Sequence, residues 1–304
     1  MDHVLHLECL LCGRTYRPDE ARYVCPEHGN EGILDVVYDF DAIGRNVSRG
    51  QLATHPDPSM WRYAPLLPIR PDAPRPPLRI GGTPLYATRR LADGLGLRHL
   101  WVKDDGQQPT ASLKDRASAI ALLKAQEINA PIITTASTGN AAAALAGVCA
   151  SVGQKNVIFV PHNAPPAKVA QLLAYGALVL LVKGTYDDAF DLCLTAAHHY
   201  GWYVRNTGFN PFMTEGKKTV SYEICVQLDW QAPDVILVSV GDGCIIGGVH
   251  KGLKDLLALG WIAQMPRLIG VQAAGSDYLA AAWANGEDVR TKPPIVPQTV
   301  ADSI

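Results

Sequence analysis

From about residue 100 onwards, short unbroken runs of apolar residues alternate with longer segments of helical apolar spacing. The runs predict strands at 100–102, 131–135, 157–160, 178–182, 235–240 and 268–272. The longer segments predict helices at 114–129, 141–152, 167–175, 186–200 and 247–257. Unbroken apolar strands that alternate with helices of about 10–15 residues are typical of a parallel sheet with helices on both faces. The pattern therefore predicts an α/β fold.

Composition narrows the class of protein. Hydrophobic residues make up 48% of the 304 residues and charged residues 18%, which disfavours a disordered chain. The net charge of -2 gives no long-range attraction to nucleic acid or to an anionic membrane. No apolar stretch reaches the ~20 residues that span a bilayer, and the N-terminus lacks the profile of a signal peptide. Seven scattered cysteines favour reduced thiols, so we expect a soluble cytoplasmic protein.

Three polar segments stand where this pattern would place a ligand site. Lys114 opens a predicted helix, residues 137–140 (Ser-Thr-Gly-Asn) follow one predicted strand, and residues 241–244 (Gly-Asp-Gly-Cys) follow another. Ligands of parallel sheets bind beyond the carboxyl ends of the strands. A lysine amine, a polar turn and a glycine turn before a helix N-terminus suit an aldehyde, a ring and a phosphate, respectively. Together they predict a site for pyridoxal phosphate, with Lys114 as the Schiff-base lysine.

Each segment also has a simpler interpretation. Lys114 could be a solvated lysine at a charged helix end, and the Ser137 turn could be only a helix N-cap. The glycine turn could serve a dinucleotide site, but that site needs an acidic residue at the end of the next strand. The next strand instead ends in Gln272-Ala273, which disfavours a nicotinamide cofactor.

The first 35 residues contain a second candidate site, for a metal. Two ligand pairs with zinc-knuckle spacing are separated by twelve residues, and they consist of Cys9, Cys12, Cys25 and His28. Three thiolates and one imidazole complete a tetrahedral structural zinc site and leave no position open for a substrate. The alternative is a metal-free remnant or a set of unrelated thiols.

With these residues in view, the chain resembles threonine synthase and related pyridoxal phosphate enzymes of the tryptophan synthase β-subunit fold (fold type II). The resemblance covers most of the chain. It rests on the segments 9–39, 81–85, 102–105, 109–116, 137–140, 210–219 and 241–243, which follow in the family's order. It implies a lyase of amino-acid biosynthesis that converts O-phospho-L-homoserine and water to L-threonine and phosphate.

The resemblance also implies roles for individual residues. Lys114 is expected to hold the cofactor and to move the α-proton of the substrate, and Asn140 to bind the 3-hydroxyl of the ring. The cofactor phosphate is expected to lie in the cradle of Gly241, Asp242, Gly243, Cys244 and Ile245. The substrate is expected to contact Ser137, Thr138, Asn206 and Thr207. The Asp242 carboxylate, being unfavourable beside a phosphate, is expected to point away or onto the following helix.

Two departures from the family pattern bear on the substrate. Between Asn210-Pro211 and Glu215-Gly216, where threonine synthases usually carry an arginine for the substrate phosphate, this chain has Met213. A thioether cannot bind a dianion. Either Arg205, Lys217 or another cation replaces the arginine, or the substrate is not O-phosphohomoserine. The segment before Lys114 reads Thr-Ala-Ser-Leu-Lys, with Ala111 in place of the usual glycine.

Met213 keeps alternatives open. One is a pyridoxal phosphate dehydratase, ammonia-lyase or β-replacement synthase that acts on another amino acid. The other is an inactive homologue that binds a ligand. We expect a knuckle-like segment at 1–35, a discontinuous large cofactor-binding domain at 36–117 and 206–304, and a small α/β domain at 118–205. Relatives continue beyond the position of Ile304, so we also expect the large domain to lack its C-terminal part here. A homodimer is common in the family.

Overall fold

The computed structural model of the protein describes residues 3–293 and 295–300. Among these residues, eleven strands form four sheets. The strands are β1 Val4–Cys9, β2 Thr15–Tyr16, β3 Leu34–Tyr38, β4 Leu85–Ala87, β5 Trp101–Lys103, β6 Ile133–Ala136, β7 Asn156–Pro161, β8 Leu178–Val182, β9 Tyr203–Val204, β10 Val235–Ser239 and β11 Arg267–Val271.

The α-helices of the described residues fill most of the remaining chain. They are α1 Phe40–Asn46, α2 Arg49–Ala53, α3 Arg89–Gly94, α4 Lys114–Glu127, α5 Asn140–Ala150, α6 Pro166–Ala174, α7 Tyr186–Tyr200, α8 Phe212–Lys217, α9 Thr219–Gln227, α10 Cys244–Ala258 and α11 Tyr278–Asn285. Short 3-10 helices lie at Gly29–Glu31, Met60–Leu66, Asp105–Gln107 and Ala274–Ser276. No described helix has the length and apolar character that a membrane span requires.

A four-stranded parallel sheet, in the order β8-β7-β6-β9, forms the centre of the 130–205 region. Its strand β7 is buried on both faces. Ile158 and Val160 pack with residues of α5 and α6 on one face, while Val157 and Phe159 pack with residues of α7 on the other. Alternate side chains of a strand point to opposite faces, which explains why an unbroken apolar run serves both helix layers.

A second region surrounds the helices α4, α8, α9 and α10, which belong to the largest apolar core of the protein. Its strands form two short sheets, the parallel pair β10-β11 and the antiparallel pair β4-β5. The N-terminal strands form a third, antiparallel sheet in the order β2-β1-β3, and β3 buries Leu34, Val36 and Tyr38 in the same core. In this region α8 packs against both α4 and α10.

Glycines allow these helices to approach closely. A Cβ atom at Gly216 in α8 would lie 2.2 Å from the backbone oxygen of Arg116 in α4. A Cβ atom at Gly248 in α10 would lie 2.7 Å from the Cβ of Lys217 at the end of α8. Helices at these distances tolerate only a hydrogen atom at the contact. The glycines therefore fix where the side chains of the neighbouring positions, Lys114 and Lys217, emerge.

The α/β class and all eleven elements predicted after residue 100 are confirmed, each within about three residues of its predicted bounds. The helices α8 and α9 and the short strands β4 and β9 were not predicted. The predicted domain boundaries stay a prediction. The expectation that concerns the chain end at Ile304 lies outside the described residues.

Candidate active site

Four chain segments come together beside the carboxyl ends of parallel strands from two separate sheets. They are the start of α4 at Lys114, the turn after β6 at residues 137–140, the segment 205–207 after β9, and the turn after β10 at residues 241–244. Each turn connects the carboxyl end of a strand to a following segment, which is where open α/β sheets place their ligands. The structure therefore brings together the segments that the sequence analysis selected.

The loop before Lys114 is closed by a carboxylate. The backbone N–H of Thr110 donates to the Asp115 carboxylate at 2.8 Å, and the Thr110 hydroxyl donates to its other oxygen. Ala111, inside this loop, has a φ of 56°. That left-handed conformation is disfavoured for a residue with a Cβ atom, which explains in physical terms why glycine suits this position. The closed loop fixes the first turn of α4 and with it Lys114.

Lys114 is half-buried, and its ammonium group makes no hydrogen bond or ion pair with any described residue. Burial lowers the pKa of Lys114 below the usual value for a lysine, and the nearby Arg205 guanidinium lowers it further. The Asp242 carboxylate opposes this shift. An amine with a lowered pKa is more often neutral near pH 7, and a neutral amine is the nucleophile that reacts with an aldehyde.

Two further cations share this environment. Burial lowers the pKa of Arg205 to about 10 and that of Lys217 to about 8. Both groups interact favourably with the Asp242 carboxylate, and both lie near Cys244 at the start of α10. Lys114, Arg205 and Lys217 thus interact with one another and share the same carboxylate, so the site is rich in positive charge.

The glycine turn places Asp242 against the helix that follows it. Asp242 Oδ1 accepts a hydrogen bond from the backbone N–H of Cys244 at 2.9 Å, and Gly243 has a φ of 79°. The carboxylate therefore lies at the N-terminus of α10. This position agrees with the expectation that Asp242 points onto the following helix. Free N–H groups at this helix end remain available to an anion.

The turn after β6 keeps most of its polar groups open. The Ser137 hydroxyl accepts a hydrogen bond from the backbone N–H of Gly139 at 3.2 Å. The side chains of Thr138 and the exposed Asn140 make no hydrogen bond to another described residue. Asn140 begins α5, and it is available for a contact with a ligand.

The predicted substrate residues Asn206 and Thr207 have internal partners. The side-chain oxygen of Asn206 accepts hydrogen bonds from the Thr135 hydroxyl at 2.8 Å and from the Ala136 N–H at 2.9 Å. The Thr207 hydroxyl accepts a hydrogen bond from Arg205 at 2.7 Å. Asn206 therefore ties the end of β6 to the segment after β9, and a contact of either side chain with a substrate stays a prediction.

Tyr186 at the start of α7 is a site residue that sequence reasoning did not select. Its hydroxyl donates to the backbone oxygen of Ala136 at 3.2 Å. Burial raises its pKa, Asp242 raises it further, and Arg205 lowers it, so Tyr186 lies near both groups. The sequence did contain a signal for this residue, because Tyr186 follows the junction between a predicted strand and a predicted helix at residues 182–186. Such junctions lie at the carboxyl ends of the strands, where the other site residues are also found.

A buried network of ion pairs holds α4, the helix that begins at Lys114, against the neighbouring elements. The Arg116 guanidinium is fully buried, and it donates to both oxygens of Glu223 at 2.6 and 2.8 Å. It also donates to both oxygens of Asp105 at 2.8 and 2.9 Å. Lys103 donates to Glu223 at 2.7 Å. Two cations and two carboxylates thus connect β5, α4 and α9, two residues away from Lys114.

The four predicted metal ligands lie together at the N-terminus. The ligand atoms of Cys9, Cys12, Cys25 and His28 all lie within 4.8 Å of one another. The His28 Nδ1 is 3.5 Å from the Cys25 sulfur and 4.0 Å from the Cys9 sulfur. Hydrogen bonds from Tyr16 and His28 outweigh the effect of burial and lower the pKa of Cys25 to about 6. The arrangement fits the geometry of a four-ligand site.

Comparison with known proteins gives a consistent family. A model of the family described as pyridoxal-phosphate dependent enzyme matches residues 77–304. A threonine synthase of Methanocaldococcus jannaschii is 38% identical over 298 residues, which is 97% of this chain and 72% of that protein. A threonine synthase of Methanosarcina acetivorans is 39% identical over 302 residues, which is 98% of this chain and 72% of that protein.

Two solved structures show the same fold. Threonine deaminase isoform 2 of Solanum lycopersicum has a TM-score of 0.57 at 25% identity, over 67% of this chain and 54% of that one. Maize serine racemase has a TM-score of 0.59 at 23% identity, over 67% of this chain and 60% of that one. The chain therefore spans less than two thirds of the length of these two structures.

Proposed function

The chain belongs to the family of pyridoxal-phosphate dependent enzymes, and from that premise we propose that it is a lyase of the threonine synthase type. Its reaction would convert O-phospho-L-homoserine and water to L-threonine and phosphate. The observation that carries the proposal is the position of Lys114 near Arg205, since its amine has a lowered pKa and no partner among the described residues. The names of the relatives in Methanocaldococcus jannaschii and Methanosarcina acetivorans support the same reaction.

The residues present fit pyridoxal phosphate. The cofactor needs an amine for its aldehyde and a cationic or N–H-rich surface for its phosphate. Lys114 has no competing partner among the described residues, and the N-terminus of α10 follows the glycine turn. Lys114, Asn140 and residues 241–245 would hold the cofactor.

When bound, the cofactor ring supplies the electron sink that stabilises a carbanion at the α-carbon of an amino acid. The protein residues would do the rest. The Lys114 amine would take the α-proton and return a proton to the substrate, and the polar turn of Ser137 and Thr138 would orient the substrate carboxylate. The surplus positive charge would favour the departure of a phosphate, because it stabilises the negative charge of the leaving group.

A different reaction on the same cofactor is the second candidate. Position 213 carries a methionine where threonine synthases usually carry the phosphate-binding arginine, and this methionine is fully buried in the core. A dehydratase, an ammonia-lyase or a β-replacement synthase needs no phosphate contact of that kind. The solved structures with the same fold include a threonine deaminase and a serine racemase.

The experiment is a substrate panel with the cofactor-loaded protein. Phosphate release and threonine formation would be measured with O-phosphohomoserine, and keto acid formation with threonine and serine. Phosphate and threonine formed in equal amounts, with both lost in Lys114→Ala, would support the proposal. Keto acid formation without phosphate release would refute it in favour of the second candidate. No turnover despite bound cofactor would favour an inactive homologue.

We also propose that Cys9, Cys12, Cys25 and His28 bind one structural zinc ion. The cluster lies beside the small sheet of β1, β2 and β3, so the metal would stabilise the N-terminal segment without contact to the substrate. The test is the zinc content of the purified protein by elemental analysis. One zinc per chain in the wild type and none in Cys9→Ser would support the site, while a metal-free wild type purified without chelator would exclude it.

A further inference from the structure

Two buried cations of the site make no ion pair with any described residue, whereas the buried cations Arg116, Lys218 and Lys251 each do. We propose that Arg205 and Lys217 form the phosphate-binding pair of this site, in place of an arginine at position 213. The inference rests on the proposed function, since it names the residues that would bind the phosphate group of its substrate or cofactor.

The guanidinium of Arg205 has one nitrogen, Nη2, that is left for a ligand. The residue is 0% exposed; its Nε donates to the Ser118 hydroxyl at 3.2 Å, and its Nη1 donates to the Thr207 hydroxyl at 2.7 Å. Its Nη2 is buried and has no hydrogen-bond partner among the described residues. Buried guanidinium groups normally use every N–H, and Arg116 of this chain bonds two carboxylates and two hydroxyls. The open Nη2 therefore calls for an acceptor from outside the chain.

Lys217 gives the second charge. It is 2% exposed, and its ammonium group makes no hydrogen bond or ion pair with any described residue. The next residue, Lys218, shows the contrast, because its ammonium lies 2.7 Å from both Glu215 and Asp255. Lys217 stands four positions after Met213 on α8, and residues at this spacing lie on the same side of a helix. A cation displaced by one helical turn can therefore replace an arginine at position 213.

The two cations converge on the same place. Arg205 follows β9, whereas Lys217 ends α8 and packs on Gly248 of α10. A Cβ atom at Gly208, three residues after Arg205, would lie 3.9 Å from the sulfur of Cys244 at the start of α10. Both cations interact with Asp242 and lie near Cys244, and the Arg205 guanidinium lowers the pKa of Lys217. An anion between two buried like charges stabilises both charged forms, and a phosphate dianion matches their summed charge.

A phosphate monoester in this site has two possible sources, the substrate and the cofactor. The substrate source follows from the absence of an arginine at position 213. The cofactor source follows from the nearness of Lys217 to Cys244, which begins the predicted phosphate cradle. The chemistry recognised is the same, and the experiment separates the two.

The test measures binding of inorganic phosphate by calorimetry to the protein with and without pyridoxal phosphate. Arg205→Gln and Lys217→Gln remove one charge each, and Arg267→Gln and Lys254→Gln are matched controls at exposed positions. We expect each site variant to weaken phosphate binding about tenfold or more, as the loss of a charge-assisted hydrogen bond requires. We expect the controls to stay within about twofold of the wild type.

The two sources give different patterns. For the substrate phosphate, inorganic phosphate binds the cofactor-loaded protein, and the variants raise KM for O-phosphohomoserine with unchanged cofactor affinity. For the cofactor phosphate, inorganic phosphate binds only the cofactor-free protein, and the variants weaken pyridoxal phosphate but not pyridoxal. Unchanged phosphate binding in both folded variants would overturn the pair. Because inorganic phosphate is the probe, this result is independent of whether O-phosphohomoserine is turned over.

Arg205→Lys keeps the test possible if Arg205→Gln fails to fold. It keeps the charge at the same position but lacks the forked geometry, so phosphate binding should be weakened less than in Arg205→Gln. If Arg205→Gln unfolds, a wild-type phosphate affinity in both Arg205→Lys and Lys217→Gln would refute the proposal.

Discussion

Replacement of Glu223 by alanine should reveal how strongly the buried ion network holds the helix of Lys114. Glu223 is 2% exposed, and it accepts hydrogen bonds from Arg116, Lys103 and the backbone N–H of Gly82. In Glu223→Ala, Arg116 keeps Asp105 as its only carboxylate and Lys103 loses its ion pair. Arg116 and Lys103 then remain buried with two positive charges, and only the single negative charge of Asp105 balances them.

The expected loss in the free energy of unfolding is about 3–5 kcal/mol, the usual cost of breaking a buried ion pair from one side. For 304 residues the entropy of unfolding is about 0.6 kcal/mol per degree, so the melting temperature should fall by about 5–8 °C. Circular dichroism during thermal unfolding measures the shift. The matched control is Asp72→Ala, which removes an exposed ion pair with Arg70 and should cost less than about 1 kcal/mol.

A double variant separates the charge imbalance from the loss of packing. In Arg116→Met with Glu223→Leu both partners become apolar, while Lys103 and Asp105 remain as a cation and an anion. This variant should unfold at a higher temperature than Glu223→Ala, because no uncompensated charge of the pair is left buried. A Glu223→Ala protein as stable as Asp72→Ala, or a double variant less stable than Glu223→Ala, would refute the reasoning.

Three further predictions concern the same part of the fold. Ala111→Gly should raise the free energy of unfolding by up to about 1 kcal/mol in denaturant titrations, because φ is 56° there; an unchanged or lower value would contradict the strain. Gly216→Ala should lower the free energy of unfolding by about 1–3 kcal/mol, because the new Cβ atom meets the backbone of Arg116. The control Gly94→Ala should cause no such loss, because no atom lies within 4 Å of its new Cβ. Equal effects of the two variants would exclude the close contact. The pKa of Asp105 is about 2 in the folded protein against 3.8 ordinarily, because the Arg116 guanidinium outweighs burial. The resulting stability is present above about pH 4 and is lost as pH falls towards 2, by about 2 kcal/mol. Asp105→Asn should show a flatter decline over this range, and a decline as steep as in the wild type would assign it to other groups.

Hydrophobic periodicity predicted the strands and helices around the parallel sheet because each of them buries apolar residues at regular spacing. It did not predict α8 and α9, where charged residues occupy buried positions. Glu215, Lys218 and Glu223 are each 2% exposed or less. Such residues look solvent-exposed in a sequence, and only their partners in other elements make their burial favourable.

The candidate site shows the same division between local and long-range information. The turns at residues 137–140 and 241–244 were predictable because a glycine turn between a strand and a helix is a local signal. The side-chain bonds of Asn206 were not predictable, since its oxygen is bound by Thr135 and Ala136 of a strand about 70 residues earlier. A polar residue at a sheet edge can bind either a ligand or the backbone of a neighbouring strand, and sequence alone does not distinguish these uses.

The phosphate question illustrates why charge must be counted over a site and not at one position. Position 213 taken alone suggests that a phosphate cannot bind, because Met213 is a buried thioether in the core. The site nevertheless contains the buried cations Arg205 and Lys217 beside the amine of Lys114, and all three groups interact with the same carboxylate, Asp242. Coulomb attraction depends on distance and burial and not on the order of residues along the chain. A cation at the end of β9 and a cation one turn further along α8 can therefore bind the same anion, which is the arrangement that the proposed phosphate pair requires.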